Sequence, residues 1–75
     1  MKPAYFVKAI WDAQASVWTS QSDIPGLVIE ADTLAEFEAI MMVLAPEMLA
    51  ENEGVRDARV PLNFLVEDRR ELAVA

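Results

Sequence analysis

Carboxylates are the residues of this sequence that could do chemistry. Asp12, Asp23, Glu30 and Asp32 lie near predicted strand ends and turns. Carboxylates that meet in space hold Mg²⁺, which supports phosphoryl hydrolysis. Their spacing does not bring these four together, and each has an ordinary alternative role as a loop residue, turn former or helix cap. A metal-dependent hydrolase is therefore kept as a third hypothesis, and we expect no enzyme, catalytic residue, metal or cofactor.

The composition excludes most other kinds of catalytic site. The sequence contains no cysteine and no histidine, which excludes the usual zinc sites and any Ser-His or Cys-His nucleophile pair. Its two glycines, Gly26 and Gly54, are too far apart in the chain to form a glycine-rich phosphate loop. These exclusions favour a binding role over a catalytic one.

The chain is short, apolar and acidic. Its 75 residues predict a single domain spanning residues 1–75. A hydrophobic fraction of 55% is more than so small a protein can bury alone, and it predicts a homodimer. A net charge of −7 argues against nucleic acid and favours a basic protein partner, although an ordinary acidic soluble protein has the same charge. With no signal peptide or membrane span in the sequence, we expect a bacterial cytoplasmic protein.

The first half of the chain predicts three strands. Residues 4–11 and 16–22 are rich in aromatic and β-branched residues and indicate a hairpin with a loop of about four residues. Pairing Trp11 with Ser16 would place Ala9 opposite Trp18. Residues 27–31 indicate a short third strand.

Two local signals fix the turn and the helix start. Pro25 presets φ and Gly26 accepts a positive φ, which is the pattern of a type II turn. Asp23 can bond the backbone of that turn. Thr33 followed by Glu36 is a capping box, which predicts a helix that begins after Thr33.

The second half predicts a helix and a last strand. Pro46 predicts a kink or a short second helix, and Gly54 predicts the end of the helical region. Residues 60–67 alternate like a half-buried strand, and residues 68–75 are ambiguous. One apolar stripe recurs at helical spacing: Leu34, Phe37, Ile40, Met41, Leu44, Met48 and Leu49.

The resulting order, β-β-β-α-β, predicts an α+β fold. The crossover rule makes the fourth strand parallel to the first, which gives a four-stranded mixed sheet of order 3-2-1-4 with the helix on one face. The other face mixes polar residues with five apolar ones, which predict an interface with a second copy or a partner, or else a solvated face that tolerates them. These residues are Phe6, Ile10, Val17, Val28 and Leu65.

The segment VWTSQSDIPGLVIEADTLAEF resembles the signature of HicB-like antitoxin domains. The D-I-P-G turn of residues 23–26 and the helix start at Asp32 and Thr33 match it, with Ala31 where glycine is more usual. The P-E-M-L-A-E-N segment, residues 46–52, is similar to the helix ending of a short, uncharacterised branch of that family. The resemblance covers about residues 4–66.

The resemblance implies a partial RNase H-like fold without catalysis. It also implies a protein that neutralises HicA, a small basic RNase toxin, and the acidic rim of Asp23, Glu30 and Asp32 is where we expect that toxin to dock. Charge reversal at Asp23 and Glu30 should then weaken binding and leave folding intact. The chain stops at Ala75, so the DNA-binding domain of typical HicB proteins is not expected. The alternative is an orphan homo-oligomer with another binding or regulatory role.

Overall fold

The computed structural model describes residues 2–75 as one mixed sheet covered by one helix. The sheet order is β3-β2-β1-β4, with β1 antiparallel to β2 and parallel to β4. This confirms the predicted α+β topology. The elements are β1 Tyr5–Asp12, β2 Val17–Ser22, β3 Glu30–Ala31, α1 Leu34–Glu53 and β4 Leu62–Glu67.

The core lies between α1 and one face of the sheet. Alternate residues of β1 are buried, and every fourth residue of α1 packs against them. The rings of Phe37 and Phe64 stack with centroids 6.0 Å apart, which ties α1 to β4. The buried residues are Tyr5, Val7, Ala9, Ile24, Leu27, Ile29, Ala31, Phe37, Met41, Ala45 and Leu49.

The hairpin register differs from the predicted one by two residues. Trp11 lies opposite Trp18 rather than Ser16, and the two indole centroids are 5.3 Å apart. The side chain of Asp12 closes the loop by accepting from two loop N–H groups at 3.1 and 3.3 Å. A cross-strand aromatic pair is favourable. Because a shift of two residues preserves the alternation, each side chain keeps its predicted face.

The third strand is shorter than the predicted range of residues 27–31. The Ser20 hydroxyl accepts from the Ile29 N–H at 2.8 Å, and the Ser20 N–H donates to the Ile29 carbonyl at 3.1 Å. A side chain therefore occupies a place that a backbone group holds in a regular ladder. Residues 27–29 still alternate, with Leu27 and Ile29 buried and Val28 exposed.

One helix runs through Pro46, so of the two predicted outcomes, a kink or a short second helix, the second helix is wrong. Ala45 and Leu49, on either side of the proline, are both buried, and packing holds both halves of α1 on the sheet. Pro46 itself is exposed. The helix ends at Gly54, whose φ is 65°, and the Val55 N–H donates to the Leu49 carbonyl at 3.2 Å.

Candidate functional site

The corner that follows β2 is held by side chains. Ser22 Oγ donates to the Phe6 carbonyl at 2.7 Å and accepts from the Ile24 N–H at 3.0 Å. Asp23 Oδ1 accepts from the Phe6 N–H at 2.9 Å. Together these bonds continue the β1–β2 pairing beyond the end of the ladder. Asp23 therefore helps to hold β1 in place.

Asp23 also forms an ion pair with Lys2. The Lys2 ammonium hydrogen bond, supported by the Phe6 N–H, holds the pKa of the Asp23 carboxyl below its usual value. The same bond raises the pKa of Lys2. Of the three acids predicted to bind a partner, Asp23 is thus the one already engaged within the fold, so charge reversal there is expected to disturb folding as well as binding.

The last turn of α1 reaches the same corner. The Leu27 N–H donates to the Ile24 carbonyl at 3.2 Å, and Gly26 has a φ of 81°, as a type II turn requires. Asn52 Nδ2 donates to the Pro25 carbonyl at 2.7 Å. The two sequence motifs, residues 23–26 and 46–52, therefore touch each other, a connection that sequence spacing does not reveal.

Glu30 and Asp32 are exposed and lie on either side of buried Ala31. Neither forms a salt bridge within residues 2–75. Next to them, Thr33 Oγ1 accepts from the Glu36 N–H at 3.1 Å, which caps α1. Glu30 and Asp32 thus offer free negative charge at the start of the helix, and their role in partner binding stays a prediction.

The sheet face away from α1 is less continuous than the sequence predicts. Lys8 lies on it, with Nζ 3.7 Å from the Glu67 carboxylate. Two of the five predicted interface residues, Val28 and Leu65, are strongly exposed, at 79% and 46%, and strands β1 and β2 separate them. Phe6, Ile10 and Val17 are half-buried within the monomer. An interface on this face stays a prediction.

The outer side of α1 is unusual because it is both acidic and apolar. Its exposed acids are Glu36, Glu38, Glu47 and Glu51, and it contains no lysine or arginine. Met42 and Val43 are 63% and 60% exposed. A helix with apolar residues on both sides is typical of one covered on both sides. The sequence pattern indicates that these acids form a solvated helix face and that Met42 lies off the buried stripe, but it does not predict the exposure of Val43.

An open apolar groove lies between α1 and the segment that leads into β4. Its volume is about 550 Å³. Exposed Glu38 and Asp57 border it. The apolar residues that line it include Met42, Pro46, Val55, Val60, Leu62 and Phe64. The sequence does not predict this groove, because residues 55–61 form no regular element whose facing residues a periodicity could reveal.

Metal-binding and membrane-spanning features are both missing from residues 2–75. No three acidic side chains in this range lie close enough together to hold a metal ion. No helix in the same range is long and apolar enough to cross a membrane. The prominent surface features of residues 2–75 are an acidic helix, an apolar groove and an uneven sheet face.

Comparison with known proteins places the chain in a family. Residues 4–75 match a domain of unknown function, DUF1902. The chain belongs to this family. Its fold is similar to the crystal structure of the hypothetical protein TTHA1013 from the extremely thermophilic bacterium Thermus thermophilus, with a TM-score of 0.70 and 39% identity. The match covers 95% of this chain and 99% of that one. No curated protein matches the chain.

Proposed function

We propose that this DUF1902 domain is a non-catalytic protein-binding module that binds a small basic protein. The resemblance to HicB-like antitoxins gives the partner a class, a HicA-type RNase toxin that the module neutralises. A partial RNase H-like fold without catalysis is part of the same proposal. What supports it is the acidic, exposed surface of α1 together with Glu30 and Asp32 at its start.

The observation that carries the proposal is the charge at the C-terminal end of α1. Glu51 and Glu53 lie in the last turn, which contains no basic residue. The helix dipole places partial negative charge at that end, so carboxylates there are unfavourable in the free protein. A lysine or arginine of a partner would relieve this repulsion. Glu53 is already engaged by the Tyr5 hydroxyl at 3.2 Å, which leaves Glu51 for the partner.

Affinity measured against a HicA-type toxin tests the proposal. The purified full chain is titrated with a catalytically inactive form of a small basic HicA-type protein from the same genome, at low and at physiological salt. Binding is expected, and it should weaken as salt rises because the surfaces are exposed. Activity of the intact toxin on RNA should fall as the chain is added.

Matched charge reversals locate the surface. Glu51→Lys and Glu30→Lys should each weaken binding several-fold, while Glu71→Lys, which makes the same charge change in the tail, should leave it nearly unchanged. Circular dichroism checks that each variant is folded. Absence of binding at low salt, or equal loss from all three variants, would reject the proposed surface.

A second candidate function is that of a homo-oligomer with its own regulatory or binding role. Exposed apolar side chains favour it, since Val28, Met42, Val43 and Leu65 are each at least 46% exposed. This candidate predicts self-association of the purified chain without a toxin. The two candidates overlap on the outer side of α1, because exposed Met42 and Val43 lie on the same helix as the exposed acids.

A further inference from the structure

Strand β4 leaves one edge of the sheet unpaired. It lies last in the order β3-β2-β1-β4, and among residues 2–75 it pairs only with β1. Leu65 and Val66, in the middle of this strand, are 46% and 49% exposed. An edge with free N–H and C=O groups beside exposed apolar residues is a template for pairing with another strand.

The segment after β4, residues 68–75, extends the alternation of that strand. Phe64 and Val66 point to the helix side of the sheet, and Leu72 and Val74 fall on the same side if the extended chain continues. Leu72 and Val74 are 86% and 91% exposed, with no covering partner in residues 2–75. The tail therefore carries two apolar residues suited to the groove beside α1.

The tail does not reach the groove of its own chain. The groove is lined at one end by Tyr5, the first residue of β1, whereas Arg69 and Glu71 line a recess with Trp11 and Ala13, at the other end of β1. Strand β1 spans about 23 Å between those ends. The tail leads away from the groove, so the groove of a second chain is the one that it can fill.

The exposed area is what a dimer of this size would cover. A compact protein of 8.4 kDa exposes about 4,600 Å², and this chain exposes 5480 Å². The excess of roughly 900 Å² is close to the ~800 Å² that each partner buries in a standard interface. The radius of gyration is 14.3 Å, against about 11 Å for a compact chain of this length.

We propose that a second copy of this chain pairs its β4 antiparallel with β4 and that the two copies exchange tails. With the two-fold axis near Leu65, Leu72 of one chain lies opposite about residue 58 of the other, and Val74 opposite about residue 56. Ala58 lines the groove, and residue 56 lies between the lining residues Val55 and Asp57. The sheet becomes continuous across the dimer, and Leu72 and Val74 enter the partner groove.

The proposal is tested by measuring the mass of the full chain in solution. Two tail variants are compared, each with an aspartate on a different side of the tail. Light scattering after size exclusion is expected to give twice the 8.4 kDa chain mass. Leu72→Asp puts a carboxylate in the apolar groove, so the dissociation constant should rise by at least about tenfold. Ala73→Asp, on the opposite side of the tail, should leave the dimer intact.

Cross-linking distinguishes exchange from other dimers, and the chain has no cysteine to interfere. A mass-tagged Leu72→Cys chain is mixed with Ala58→Cys or Val60→Cys chains and oxidised. A disulfide between the two different chains is expected with one of these and not with Gln21→Cys, which lies on the other sheet face. A monomeric chain, equal effects of Leu72→Asp and Ala73→Asp, or no such disulfide would each overturn the proposal. The toxin plays no part in these measurements, so they stand apart from the proposed function.

Discussion

Gly26 is the residue at which local geometry and tertiary packing coincide. Its φ of 81° is one that other residues rarely adopt. A Cβ built there would lie 2.8 Å from Asn52 Nδ2 and 3.3 Å from Met48 Sδ. Both the turn and the bond from Asn52 to Pro25 therefore depend on the missing side chain.

We expect Gly26→Ala to lower the free energy of unfolding by about 2–3 kcal/mol, from the strained φ together with the displacement of Asn52. Urea unfolding followed by circular dichroism measures it. Gly54→Ala is the matched control, since Gly54 also has a positive φ, 65°, but has open space around its Cβ position. It should cost only about 1 kcal/mol. Equal losses from the two variants would show that contact with Asn52 adds nothing.

Asp23 shows where residue types alone mislead. As an acid beside a turn, it resembles Glu30 and Asp32 in sequence. The structure gives it two partners, Lys2 and the Phe6 N–H, and leaves Glu30 and Asp32 exposed. Lys2 is 21 residues from Asp23, so this pairing could be found only once the sheet had brought the ends together.

At the scale of elements, the sequence was a good guide wherever one local rule decided the outcome. The turn at Pro25 and Gly26, the cap at Thr33 and the buried stripe of α1 each follow from local chemistry, and with the crossover rule they lead to the observed sheet order. The register of the hairpin and the length of β3 depend on side-chain contacts across strands. These involve Trp11 with Trp18 and Ser20 with Ile29, and no local rule determines them.

Pro46 is the element-level exception, because α1 continues through it. Proline cannot donate to the carbonyl of Met42, and a proline inside a helix costs about 3 kcal/mol. Pro46→Ala should therefore stabilise the protein by about 2 kcal/mol, after allowing for the greater freedom that alanine gives the unfolded chain. The urea midpoint is expected to rise.

Glu47→Ala, the next exposed position of the same helix, is the control and should change stability by less than about 0.5 kcal/mol. A lower urea midpoint for Pro46→Ala would mean that packing of the proline ring in the groove stabilises the protein by more than the proline destabilises the helix. In that case α1 uses Pro46 as a groove residue even in the free chain.

At the scale of the whole molecule, the candidate site was only partly predictable. The excess of apolar residues indicated a covered surface, and the acidic charge indicated a basic partner. The location of the apolar surface could not be predicted, because the groove forms where α1, an irregular segment and an edge strand meet. No single stretch of sequence contains that surface.

An exchanged dimer makes stability depend on protein concentration. Each tenfold increase in concentration favours the folded dimer by about 1.4 kcal/mol, which corresponds to a rise in Tm of roughly 2–4 °C for a folded unit of this size. Calorimetry over two decades of concentration measures the slope. Leu72→Asp should make the Tm nearly independent of protein concentration, whereas Ala73→Asp should keep the concentration dependence. A Tm of the unaltered chain that does not change with concentration would contradict a dimer coupled to folding.

The paired indoles at the hairpin end give the protein a built-in optical reporter. Trp11 and Trp18 are its only two tryptophans, and with centroids 5.3 Å apart their excited states couple. Circular dichroism should therefore show an exciton couplet that vanishes when the hairpin opens. Because Arg69 and Glu71 lie in the recess beside Trp11, movement of the tail should also change the emission of that indole, so assembly could be followed in real time without any added label.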